Sequence, residues 1–168
     1  MYRTTRLRLK AALEDVDRLV ASLPALLAWA EAHRGDRTGA VAPADFALER
    51  AVERLFQSMS DVGLIVVEWV VHREAGGFEA MIDILLEEGA VLPQAADGLR
   101  KLTAAYRTVS REYLSRSLDA AALLAEIRPA LQAFVDEVRA FLRAEGVALE
   151  DSAGPAGNAS AGGGAGEG

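Results

Sequence analysis

The chain has 168 residues, 51% of them hydrophobic and 26% charged, with a formal net charge of -7 and no cysteine. That length fits one domain. The missing cysteine removes disulfides, thiolate metal sites and a Cys nucleophile together, and the acidic balance removes a global basic field for nonspecific nucleic-acid binding.

Helical periodicity dominates, and no run alternates with the period of a strand. Met1 to Lys10 is basic and lacks a following uninterrupted apolar core, so no signal peptide is expected. The first helix is predicted from about Leu7 to Ala21; Pro24 either kinks it or begins its continuation to about His33. Gly35 to Pro43 reads as a loop, and Asp45 is placed to cap a second helix reaching about His72. Its seam is Leu48, Val52, Leu55, Met59, Val62, Val66 and Trp69, widened by Phe56, Ile65 and Val70. That seam predicts a central helix or a subunit contact. The longest apolar run, Val62 to Val71, contains Glu68 and is too short to span a bilayer, so no membrane association is expected.

Ala75-Gly76-Gly77 ends that segment. A short third helix covers about Phe78 to Glu88 and stops at Gly89. Pro93 opens a fourth, predicted to about Tyr113, with a seam of Leu99, Leu102, Tyr106, Val109 and Tyr113. A last helical stretch starts after Ser117, meets Pro129 and runs through Leu131, Phe134, Val138 and Phe141 to Gly146. The expectation is an all-α antiparallel bundle of four main helices plus a short one, as a single domain over residues 1–150. Residues 151–168 are nearly all Gly, Ala, Ser and Pro, a composition expected to form a disordered tail. The Asn158-Ala159-Ser160 triplet within it is read as a chance match to a glycosylation acceptor.

One segment departs from the acidic average. Between Gly98 and Arg116 stand Arg100, Lys101, Arg107, Arg111 and Arg116 against Glu112 alone. Arg100, Arg107 and Arg111 fall at i, i+7 and i+11, on one helix face beside the apolar seam. Guanidinium groups in a row offer forked donors that match phosphate oxygens. The alternative is a solvated basic face paired with carboxylates of another helix. His33 and His72 fall at predicted helix ends, where capping explains them; His72 can serve the basic segment only if folding or dimerisation brings it beside Arg107. Tyr106 and Trp69 read as core, and Trp29 as packed within the first helix pair or at a subunit contact. Glu49 and Glu53 share a face but lack a Glu-x-x-His partner, which argues against a di-iron centre, and no metal or cofactor is expected. Ser110 has no recognisable histidine partner.

From about Leu9 to Leu142 the chain resembles the HepT-like branch of the HEPN superfamily. The resemblance rests on Phe46 to Glu53, on Phe78 to Leu86 followed by Glu87-Glu88-Gly89-Ala90-Val91-Leu92-Pro93, and on Leu99 to Thr103 leading into the basic segment. It implies the toxin of a toxin–antitoxin module: a cytoplasmic helical homodimer cleaving RNA without a metal. It also implies a small nucleotidyltransferase antitoxin that transfers AMP to a motif tyrosine. The family motif is an arginine, four to six residues, a histidine, one residue and a tyrosine. Arg107 matches the arginine, with Tyr106 before it, and Tyr113 matches the tyrosine and so the AMP acceptor. Thr108 replaces the usual Asn, and Arg111 stands in the histidine's place after a gap of only three residues. Arginine stays protonated, so Arg111 can bind phosphate and stabilise charge but cannot act as a base. Weakened or absent cleavage is therefore expected, with Arg107, Arg111 and Tyr113 as the site and Arg100, Arg107 and Arg111 holding RNA phosphate. Two rival readings are a noncatalytic dimeric module that docks a nucleotidyltransferase, and a helical domain that positions a small-molecule substrate for one.

Overall fold

In a computed structural model of the chain, residues 2–36, 42–112 and 118–149 are described. They form α1 (Arg3–Ala32), α2 (Pro43–Val66) continued by a π-helical turn (Val67–Val71), α3 (Phe78–Glu87), α4 (Pro93–Arg111) and α5 (Ala120–Ala144). No strand occurs among the described residues, as the helical periodicity predicted. Tyr113, Arg116, the end of the proposed domain at residue 150 and the 151–168 segment lie outside the described residues.

Cross-helix contacts fix the topology. Arg8 meets Asp61 at 2.9 Å and Arg54 meets Asp15 at 3.1 Å, so α1 and α2 run antiparallel. The Leu92 amide donates to Glu137 at 2.8 Å while Lys101 pairs with Glu126, so α4 and α5 are antiparallel too. On the α3–α4 side, Asp83 faces Arg100 and Glu79 faces Arg107, again antiparallel. The four long helices make the bundle, and α3 lies against α2 and α4. Exposed ion pairs of this kind contribute roughly 0–1 kcal/mol each, whereas burying a Leu or Phe contributes about 1.5–3 kcal/mol. The seams therefore hold the bundle together. Leu48, Val52, Leu55, Met59, Val62 and Val66 of α2 are all buried, as are Leu131, Phe134 and Val138 of α5.

Several local expectations are corrected. Helix α1 begins at Arg3 and runs unbroken through Pro24, whereas α5 continues through Pro129 as the sequence predicts. Both prolines lie on exposed positions, where the carbonyl freed by the ring can face water. Asp45 is not the cap of α2: Ala42 is, because Pro43 takes the first helical position with its preset φ and Asp45 falls in the first turn. Helix α5 does carry a side-chain cap, since Asp119 accepts from the Ala122 amide at 2.9 Å. Helix α4 ends at Arg111, so the basic segment straddles the helix end. Trp29 is 41% exposed and stacks on His33 instead of entering the α1–α2 interface.

Candidate RNA-binding face

Helix α4 is positioned by its packed side. Tyr106 is half-buried and stacks on Phe56 of α2, with ring centroids 3.9 Å apart and planes 8° from parallel. Phe78 of α3 meets the same Phe56 edge-on at 4.6 Å. Gly98 lies against Ala130 of α5 so closely that a Cβ there would come within 2.4 Å of the alanine methyl. These contacts fix the rotation of α4 about its axis and turn its arginines outward.

The three arginines share a stripe about 40° wide, from 3.6 residues per turn, but their surroundings differ. Arg100 is held by two carboxylates, Asp83 at 2.8 Å and Asp97 at 3.2 Å. The Asp83 hydrogen bond and charge shift its proton affinity further upward. Arg107 has a single carboxylate neighbour, Glu79 at 3.4 Å, and its side chain is 52% exposed. Arg111 is exposed, and no carboxylate of the described residues lies within ion-pair distance of it. Charge neutralisation thus thins toward the helix end, and the paired-face alternative describes Arg100 well but Arg111 not at all.

The neighbouring hydroxyls are committed to backbone. Ser110 donates to the Tyr106 carbonyl at 2.6 Å, Thr108 to Ala104 at 3.3 Å and the buried Thr103 to Leu99 at 2.8 Å. None is presented as a nucleophile. The two histidines stand at helix ends. Nδ1 of His33 donates to the Trp29 carbonyl at 2.8 Å, which matches the helix-end role expected of it. His72 follows the π-helical turn, sixteen residues beyond the Phe56 that stacks on Tyr106. At 1.5 Å per residue that is about 24 Å along the bundle, so folding within one chain does not bring His72 to Arg107.

A hollow of about 460 Å³ opens where α1, α2, α4 and α5 come together at their ends, bordered by Glu31, Asp45, Glu49, Thr108 and Asp119. It borders the arginine stripe, since Thr108 is turned about 100° from Arg107 and about 60° from Arg111. The hollow is acidic. Arg34 offsets Glu31 at 2.6 Å, while burial, then Asp45, then Glu53 push the Glu49 carboxyl above its usual range. Among the described residues that line it, carboxylates outnumber cations, and none of Arg100, Arg107 and Arg111 lines it. The described residues contain no cluster of three His, Asp or Glu side chains suited to a metal ion. No helix among them is long and apolar enough to cross a membrane.

No family model matches the chain. It is 29% identical over 102 residues to a protein of Bacillus subtilis (strain 168) named "Putative RNase YutE", covering 60% of this chain and 71% of the relative. Its fold is that of a solved structure titled "Structure of Cytosolic Protein of Unknown Function YutE from Bacillus subtilis", with a TM-score of 0.62, 23% identity, and coverage of 82% of this chain and 94% of that one.

Proposed function

We propose that this chain is an RNA-binding helical bundle of the HepT-like toxin type, whose ribonuclease activity is weak because Arg111 occupies the histidine's place. The observation that carries the reading is the gradient along α4: Arg107 is half exposed and held by one distant carboxylate, and Arg111 is exposed beside it. Similarity to a protein named as an RNase supports the substrate class. In this reading Arg107 grips the scissile phosphate, Arg111 adds electrostatic support, and Tyr113 accepts AMP from a nucleotidyltransferase antitoxin. Two copies of the chain line the cleft, in the cytoplasm, without a metal or cofactor.

The chemistry sets the expected rate. Attack by the neighbouring 2′-hydroxyl needs one group to take its proton and another to protonate the leaving oxygen, and such help is worth roughly 10²–10⁴-fold. Permanently charged guanidinium groups supply only the electrostatic part. The test is single-stranded RNA cleavage at low salt by the wild type, Arg107→Ala and Arg111→His. The expected result is slow wild-type cleavage, loss with Arg107→Ala and a gain of at least about tenfold with Arg111→His. Neither binding nor cleavage by wild type and Arg111→His alike would sink the RNA reading.

A second reading is favoured by one specific observation, the arginine that stands at position 111 in the place of the motif histidine. It is a noncatalytic module that docks a nucleotidyltransferase and keeps the arginine face only for binding. Growth arrest on solo expression speaks for the toxin; harmless expression with copurification of the partner speaks for the module.

A further inference from the structure

Helices α3 and α5 both end by placing one glycine in the left-handed region, Gly89 at φ 71° and Gly146 at φ 69°. Each is closed by an amide reaching back, Ala90 to the Leu85 carbonyl and Val147 to Leu142, both at 2.8 Å. Helix α2 ends differently. Its last turn widens into the π-helical turn Val67–Val71, and the Val67 carbonyl accepts from the amides of both His72 and Arg73. The left-handed residue is His72, at φ 60° and ψ 40°. A side chain there carries conformational strain that glycine avoids. Widened turns and left-handed non-glycine residues concentrate at functional sites.

What this turn displays is a corner of two aromatic rings. Trp69 and Tyr2 stand with centroids 5.5 Å apart and planes 71° from parallel. Glu68 and His72 complete a hollow of about 440 Å³. Glu68 is exposed, and no cation of the described residues lies within ion-pair distance of it. Arg8 lines an adjoining hollow with Glu68 and Trp69 but is paired with Asp61 at 2.9 Å, and three features of the corner itself are negative. Aromatic faces carry negative charge density, Glu68 is a carboxylate, and the carbonyl end of a long helix is its negative pole. The ring faces carry no oxygen or nitrogen acceptor toward the cation, so a strongly hydrated ammonium with three donors would give up water there without replacement. They suit a cation whose charge is spread over methyl groups and weakly hydrated.

We propose that the Tyr2–Trp69 corner, with Glu68, is a binding site for a small quaternary ammonium cation. It is separate from the arginine face, near the opposite end of the bundle, and does not depend on the RNA reading.

The chain carries two tryptophans, Trp29 and Trp69, so the two indole N–H signals in an NMR spectrum of the full chain are assigned with Trp29→Phe. Tetramethylammonium chloride is titrated against sodium chloride at matched ionic strength. The Trp69 signal is expected to shift saturably, with a Kd on the order of millimolar, while Trp29, stacked on His33 elsewhere, does not follow. Tyr2→Ala and Glu68→Gln, both at exposed positions that leave the core intact, are each expected to weaken binding about two- to fivefold. Ammonium chloride is expected to bind at least about fivefold more weakly. A Trp69 signal that only tracks the sodium chloride control overturns the site. So does ammonium binding as tightly as tetramethylammonium, or wild-type affinity in both variants.

Discussion

Helix α4 presents two flanks of opposite character. Inward it offers small and apolar residues, with Ala95, Ala96, Gly98, Leu99, Leu102 and Ala105 all buried. Outward it offers Arg100, Arg107 and Arg111, whose pairing falls from two carboxylates to one to none among the described residues. The packed flank is uniform because α5 and α2 both lie against it. The arginine flank is graded because α3 is short: its carboxylates Asp83 and Glu79 reach Arg100 and Arg107, and the helix begins at Phe78. Three identical side chains on one stripe therefore have three different chemistries, and the charge available to a ligand concentrates at the helix end.

The comparison breaks most severely on the packed flank. Tyr106→Ala removes the ring stacked on Phe56 and is expected to cost about 2–4 kcal/mol, toward the lower part of the range for large-to-small changes because the site is only half-buried. Gly98→Ala comes next. Helix propensity alone would make it stabilising by roughly 0.5–1 kcal/mol. The 2.4 Å approach to the Ala130 methyl instead forces α4 and α5 apart, at about 1–3 kcal/mol. Net destabilisation in urea unfolding is expected, with recovery in Gly98→Ala combined with Ala130→Gly. A stabilised Gly98→Ala would show that the two helices separate freely.

The packed flank was also the more legible one. Seam spacing places Leu99 and Leu102 inward, where they are buried, and Gly89 and Gly146 mark helix ends because a left-handed turn there favours glycine. The helix starts were less legible. Asp45 and Asp119 are equally good caps as residue types, but Pro43 settles the first position of α2 and leaves only Asp119 in the capping role. The arginine row was legible as a row; its grading was not. Neutralisation of Arg100 comes chiefly from Asp83, a residue on another helix whose register depends on how α3 docks. The π-helical turn left no spacing signal either, since Val66, Trp69 and Val70 continue the helical period across it.

On the arginine flank the expected effects on stability are small, under about 0.5 kcal/mol for any single alanine, because exposed pairs contribute little. The effects on RNA binding are expected to differ by position. Arg107→Ala and Arg111→Ala should each lower the salt dependence of binding to single-stranded RNA by about one contact. Arg100→Ala should leave it nearly unchanged, since its donors already serve Asp83 and Asp97. Equal losses at all three positions would mean that RNA displaces the α3 carboxylates and that the grading has no functional meaning.

The finest distinction uses two glutamates on different flanks. Glu79→Gln releases Arg107 from its one carboxylate and is expected to tighten RNA binding about two- to threefold, a fraction of an exposed pair's energy. Glu49→Gln removes a charge from the acidic hollow and should leave RNA affinity unchanged, because none of the three arginines lines that hollow. Its effect should appear in stability instead. Burial, reinforced by Asp45 and Glu53, raises the Glu49 carboxyl above its usual value, so the folded state favours the protonated form. The sign follows from linkage: that preference helps folding at low pH and is lost as pH rises through the raised value. Relative to wild type, Glu49→Gln should therefore be more stable near neutral pH and lose that advantage on acidification. Tighter RNA binding by Glu49→Gln than by Glu79→Gln would move the RNA from the arginine flank into the hollow, and the assignment of Arg107 would fail with it.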